Sequence, residues 1–327
     1  MVILRDPMQR EWVENADANP DFVQYIKPSL VSFMAFNRGR EARFAGTGFI
    51  IAGDSNGAVV VTARHVFDEG IVGIQRPENL AAGANFFSLS RYRQPSIDPR
   101  HLKAQWVGGR SGEMLDVIYA EYFDDIDICV CVVRPQSDHV SQFVPATVPL
   151  FLEAPTIGAE VVVVAYRFLV INELVAPQEA GGRGQVIQTE TSVSMRLGTI
   201  TGVYLSGYRQ YRWPCFTTSV PAEPGMSGGF AYLPASGETI SACGIVSADN
   251  STMEARASFA IAGESVMTMS WPALALRLPD VMPPQADTQM RSLLERMLDG
   301  NLPSAIGDLG RMRIEQLAAG QRRISFV

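Results

Sequence analysis

The chain is 327 residues long, enough for two ordinary domains or one large two-lobed one. With 47% apolar residues, 19% charged residues and a mean hydropathy of +0.07, it lies far from the low-hydrophobicity, high-charge composition of disordered chains. Its 27 basic and 34 acidic residues leave a net charge of −7, so no global field draws it onto nucleic acid or anionic lipid, and no basic run supplies a local one.

The first residues, MVILRDPMQREWVENADANPDF, turn polar too soon for a signal peptide. Residues 1–25 therefore read as an N-terminal extension of a cytoplasmic protein. From about residue 25 to 275, short β-branched and aromatic runs alternate with Gly, Pro, Asn and Asp clusters, the pattern of an all-β barrel or sandwich. Leu30–Phe36, Gly48–Ile51 and Val59–Val61 come first, with Asn56-Gly57 as a type I′ hairpin signal joining the last two. Around 68–113 the pattern degrades, and extended loops are expected there. Ile128–Val133, Val161–Ala165, Gly198–Tyr204 and Ile240–Val246 follow, all strand-sized and none long enough for a membrane span. After Pro272, Met290, Leu293, Leu294, Met297 and Leu298 recur at helical spacing, as do Leu309, Met312, Ile314 and Leu317. This predicts two amphipathic helices, the first capped by Asp287 and stopped by Gly300, which either pack on the body or dock a partner. The four cysteines read as free thiols in a reducing compartment, since Cys129 and Cys131 lie two apart on one strand face. Scattered Cys and His residues give no metal-ligand spacing, so no structural metal is expected.

Three segments carry chemistry. Thr62-Ala63-Arg64-His65-Val66 places a histidine at the end of a buried strand, where an imidazole can be held as a general base. Alone, such a histidine reads more readily as a satisfied core or surface residue. Asp127 stands just ahead of the apolar run 128–133 and suits an acid that orients an imidazole, with Asp125 as its competitor. In Glu223-Pro224-Gly225-Met226-Ser227-Gly228-Gly229, the glycines let backbone N–H groups converge beside the Ser227 hydroxyl, where an acyl-transfer oxyanion would form. Gly225-x-Ser227-x-Gly229 also fits a nucleophile elbow of the α/β-hydrolase kind. That fold puts a histidine after the serine, whereas all three histidines, 65, 101 and 139, precede Ser227. The order His65, Asp127, Ser227 is that of the chymotrypsin-type arrangement.

With Gly46-Thr47-Gly48-Phe49-Ile50-Ile51, Gly244-Ile245-Val246-Ser247 and Ser258-Phe259-Ala260-Ile261 added, the chain resembles a trypsin/chymotrypsin-fold serine protease. The likeness is nearest to the disulfide-poor bacterial HtrA/Deg-type branch and covers about residues 26–275. It implies two six-stranded antiparallel barrels, 26–150 carrying His65 and Asp127 and 151–275 carrying Ser227, followed by a helical tail, 276–327. It also implies serine endopeptidase activity on a protein or peptide substrate, without a cofactor, with Gly225 and Ser227 N–H groups as the oxyanion hole. Pro221, Ser247, Ala248, Asp249 and Ala257 fall at positions of the primary specificity pocket, favouring Val, Ala or Leu before the cut; Glu223 reads as a rim residue. Val66 replaces the cysteine of secreted members, so zymogen cleavage is not expected, and the tail is too short for a PDZ domain. Control then falls to the 68–113 loops, the tail or a regulatory protein partner. A non-catalytic binding module on the same fold and an esterase-like serine hydrolase are the competing readings.

Overall fold

The computed structural model describes residues 13–326 except 15, 17–18, 37–41, 72–101, 109–110, 124–125, 137–141, 176–185, 210, 235–238, 248–264, 281–287, 304 and 317–321. A two-residue strand β1 (Val13–Glu14) and a helix α1 (Pro20–Ile26) lead into six strands, β2 (Leu30–Phe36), β3 (Ala42–Asp54), β4 (Gly57–Thr62), β5 (Leu102–Gly108), β6 (Ser111–Tyr122) and β7 (Cys129–Pro135). They close as an antiparallel barrel in the order β2-β3-β4-β7-β6-β5. Strands β5 and β6 begin within the stretch expected as loops, so 102–108 and 111–113 are corrected to paired strand; residues 72–101 and 109–110 of that stretch lie outside the described residues. The large side chains of alternating positions fill the interior, with Phe33 edge-on to Phe67 at 5.4 Å and both fully buried.

The β3–β4 hairpin forms where Asn56-Gly57 predicted it, by a different turn. Neither residue takes a positive φ, as a type I′ turn requires. Instead Asp54 Oδ1 accepts the Asn56 N–H at 2.7 Å, a side-chain-closed turn. Gly57 is needed for proximity: a Cβ there would stand 2.7 Å from the Val133 carbonyl on β7.

A second set, β8 (Glu160–Val175), β9 (Val186–Tyr204), β10 (Cys215–Thr218), β11 (Phe230–Tyr232), β12 (Gly244–Val246) and β13 (Ser265–Met269), runs β9-β10-β13-β12-β11-β8 and closes through β8–β9 pairing. The fold is thus two six-stranded antiparallel barrels. Strand β1 adds to the second of them, Val13 opposite Leu197 and Glu14 opposite Arg196 on β9. One continuous apolar core joins both barrels and the C-terminal segment, with Phe49 and Phe230 meeting across the barrel boundary at 5.3 Å.

An eight-residue helix α2 (Arg64–Ile71) follows β4, and beyond the barrels β14 (Arg277–Pro279) pairs with β15 (Met290–Ser292). The helix expected over 290–298 is α3 (Leu293–Leu298), shorter than its periodicity suggested because its first residues are taken by β15. Its cap is Ser292, whose hydroxyl accepts the Glu295 N–H at 3.1 Å while the Glu295 carboxylate accepts the Ser292 N–H at 2.6 Å. Asp287, the expected cap, lies outside the described residues; Gly300 follows the helix as expected, at φ +73°. The second expected helix is corrected to a hairpin, β16 (Met312–Gln316) with β17 (Arg322–Phe326). Along β16, buried Met312 and half-buried Ile314 alternate with exposed Arg313 and Glu315, a two-residue period.

Candidate functional site

His65 sits in the first turn of α2, directly after β4. Arg64 beside it stacks its guanidinium on the Tyr122 ring at 4.9 Å. Asp127 occupies the turn between β6 and β7, closed by the Ile128 N–H donating to Ile126 O at 2.8 Å. The register of β4 against β7, with Thr62 opposite Cys129, brings the two residues together. His65 Nδ1 lies 2.9 Å from Asp127 Oδ2 and 3.1 Å from Oδ1, and the His65 backbone N–H donates to Oδ1 at 3.1 Å. A carboxylate only accepts, so the ring proton sits on Nδ1 and Nε2 is left as the basic nitrogen. Asp125 and Asp124 lie outside the described residues, as do His101 and His139.

The Ser247 hydroxyl, at the end of β12, also donates to Asp127 Oδ2. Its position in the sequence suggested a pocket wall; its hydroxyl instead supports the carboxylate. Asp127 is only 8% exposed. Burial works to raise its carboxyl, and the His65 charge with hydrogen bonds from His65 and Ser247 outweighs that, holding it below the usual carboxylate range. A carboxyl depressed in the folded state stabilises the fold fully above its unfolded value near 3.9, and loses that contribution as pH falls toward the folded value. The urea midpoint of the wild-type protein is therefore expected to fall more steeply below about pH 4 than that of Asp127→Asn; parallel acid profiles would refute this.

Ser227 is 7% exposed, on the loop between β10 and β11. Two turns shape this loop, with the Met226 N–H donating to Glu223 O at 3.0 Å and the Gly229 N–H to Met226 O at 2.9 Å. Gly225 and Gly228 have φ of +93° and +83°, a region L side chains rarely adopt. A Cβ on Gly225 would strike the Phe44 ring, and one on Gly228 the Thr47 carbonyl and Thr62 hydroxyl. The half-buried Gly225 N–H has no acceptor among the described residues, a donor open to a developing oxyanion.

Thr47, on β3 of the first barrel, staples this loop from the other side. Its N–H donates to Ser227 O at 2.8 Å, its hydroxyl donates to Gly225 O at 2.9 Å, and the same hydroxyl accepts the Tyr166 N–H at 3.0 Å. Thr62, three residues before His65, donates its hydroxyl to Thr47 O at 2.6 Å. Gly46 stands between the two halves of the site: a Cβ there would lie 2.6 Å from Val66 and 2.8 Å from Ser227 O. Histidine segment and serine loop are thereby packed against one another.

Pro221 is half-buried and its carbonyl accepts from Arg196 at 2.9 Å; Ala248, Asp249 and Ala257 lie outside the described residues. Glu223, expected as a rim residue, is half-buried and paired with Arg196 and Arg167 at 2.8 and 3.2 Å. Sequence reasoning missed Thr47 and Arg196. The Gly46-Thr47-Gly48 run was the available signal for the first; an arginine inside a β-branched run offered none for the second. None of the four cysteines is in a disulfide and all are buried; burial pushes the Cys215 thiol up to about 11 and Cys243 up to about 12, so neither competes as a nucleophile. Among the described residues no three His, Cys, Asp or Glu side chains converge as metal ligands, and no helix is long and apolar enough to cross a membrane.

Compared with known families, residues 46–240 match the trypsin-like peptidase domain. No curated protein sequence matches the chain. Among solved structures, the Rv3671c protease from M. tuberculosis in its active form aligns over 83% of this chain and 89% of its own, at 17% identity and a TM-score of 0.37. The structure of GrC aligns over 74% of this chain and 89% of its own, at 14% identity and a TM-score of 0.40.

Proposed function

Because the chain belongs to the family of trypsin-like peptidase domains, we propose that it is a serine endopeptidase working through His65, Asp127 and Ser227. The observation that carries this reading is the Asp127 carboxylate 2.9 Å from His65 Nδ1, buried and gripped by groups from both barrels. Ser227 Oγ attacks the scissile carbonyl while His65 Nε2 takes its proton, and the acyl-enzyme forms as the imidazolium returns that proton to the leaving amine. Asp127 holds the tautomer and stabilises the imidazolium. Gly225 and Ser227 N–H groups receive the oxyanion, each such donor being worth about 3–4 kcal/mol in comparable sites. Water, activated by His65 in the same way, then releases the acyl group.

The disulfide-free cysteines and the Gly46–Ile51 run favour the HtrA/Deg-type branch. Pro221, rather than an acid, at the base of the primary pocket favours an apolar residue of small to medium size before the cut.

A fluorophosphonate probe tests the reading without knowledge of the substrate, because it reacts only with an activated serine. Wild type is expected to label and Ser227→Ala not at all, with casein or a peptide library then cleaved by wild type alone. A folded wild type that stays unlabelled would indicate a binding module; labelling with ester but no peptide cleavage would indicate an esterase.

A further inference from the structure

The serine loop is held from the first barrel by Thr47, and a second device holds it from below. Arg196 on β9 is 1% exposed, the largest fully buried side chain described. A guanidinium so deep must have its donors met. Its Nε donates to Glu14 Oε2 at 3.1 Å, its Nη1 to the Pro221 carbonyl at 2.9 Å, and its Nη2 lies 2.8 Å from Glu223 Oε1. One planar group thus spans from the N-terminal strand β1 to both ends of Pro221–Glu223, the segment that leads into Gly225. The Glu223 carbonyl in turn closes the turn over Met226.

Glu14 is fixed as deliberately. Its Oε2 accepts the Ser194 hydroxyl at 2.7 Å and its Oε1 the Met195 N–H at 2.8 Å. These bonds and Arg196 outweigh the effect of burial and keep the carboxyl below its usual range. Strand β1 pairs with β9 through Val13 and Glu14, and Val13 is exposed, so it is the Glu14 carboxylate that ties this strand to the buried Arg196.

We propose that Arg196, braced by Glu14, is a positioning residue for the Ser227 loop, so that docking of the N-terminal segment sets the shape of the oxyanion site. The proposal rests on the serine-hydrolase reading for its catalytic consequence. Its structural part, that removing a carboxylate at residue 14 loosens residues 221–229, stands apart from that reading. The loop needs such support because Gly225 and Gly228 hold unusual backbone angles, and a freed guanidinium edge would let Pro221–Glu223 relax.

The test uses full-length wild type, Glu14→Gln and Glu14→Ala, read by amide hydrogen exchange and by the rate of fluorophosphonate labelling. In Glu14→Ala, peptides covering 221–229 are expected to exchange about tenfold faster while those covering β4 stay unchanged, and labelling to slow by about ten- to a hundredfold. Glu14→Gln, which keeps one acceptor oxygen, is expected to fall between, and added formate to restore part of the labelling rate in Glu14→Ala. Unchanged exchange in 221–229 overturns the proposal, as does a uniform rise across both barrels, which would mean general destabilisation. If wild type never labels yet the loop responds to Glu14, the bracing stands and the hydrolase reading fails. If wild type labels and Glu14→Ala changes neither loop exchange nor labelling, the bracing fails and the hydrolase reading stands.

Discussion

Asp127→Asn is expected to lower kcat/KM on a peptide substrate by about 10⁴ while leaving the fold intact. The carboxylate accepts the His65 backbone N–H, the His65 ring N–H and the Ser247 hydroxyl. An amide has one accepting oxygen, so its NH2 must face one of those donors or turn to the ring. Turned to the ring, it donates to Nδ1 and moves the imidazole proton to Nε2, removing the basic nitrogen on which the proposed mechanism depends. The measurement is turnover where a substrate is known and the fluorophosphonate rate otherwise, with thermal unfolding followed alongside. A variant within tenfold of wild type would sink the role given to Asp127.

The second large effect concerns stability. Arg277→Met is expected to destabilise the protein by about 3–5 kcal/mol, because it strips a buried carboxylate of its charged partner. Glu121, on β6, is 0% exposed, and the Arg277 Nε and Nη2 donate to its Oε1 at 2.8 and 2.6 Å. The pair ties the first barrel to β14, the start of the C-terminal segment. Replacing both partners, Glu121→Leu with Arg277→Met, is expected to recover much of the loss, since no charge is then stranded. Urea unfolding of the two variants decides it; a single-variant loss below about 1 kcal/mol would mean that the carboxylate finds water or a proton instead.

Much of the barrel architecture was legible because β-branched runs such as Leu30–Phe36 and Val161–Ala165 fit strands and little else. His65, Asp127 and Ser227 were singled out by their order in the chain; the fold pairs the first two directly and ties the Ser227 loop to the first barrel through Thr47. Orientation was not legible: Ser247 was placed near the site, but spacing says nothing of which way a hydroxyl turns. Arg196 was hidden for a similar reason, since an arginine in a strand ordinarily points to water, and only the tertiary fold supplies two carboxylates for it. The 309–317 stretch was misread because Leu309, Met312, Ile314 and Leu317 satisfy a helical period loosely and Met312 and Ile314 a strand period as well; a short apolar run does not distinguish them. The Asn56-Gly57 hairpin was found for an incomplete reason, its glycine answering to a neighbouring strand rather than to its own backbone angle.

The Thr47 staple also bears on synthesis. A chain emerges N-terminus first, so His65, Asp127 and Thr47 leave the ribosome well before residues 223–229. The serine loop therefore meets its Thr47 staple only after that strand has emerged, and a nascent chain that stops short of residue 223 has the His65 and Asp127 residues without the loop that packs against them.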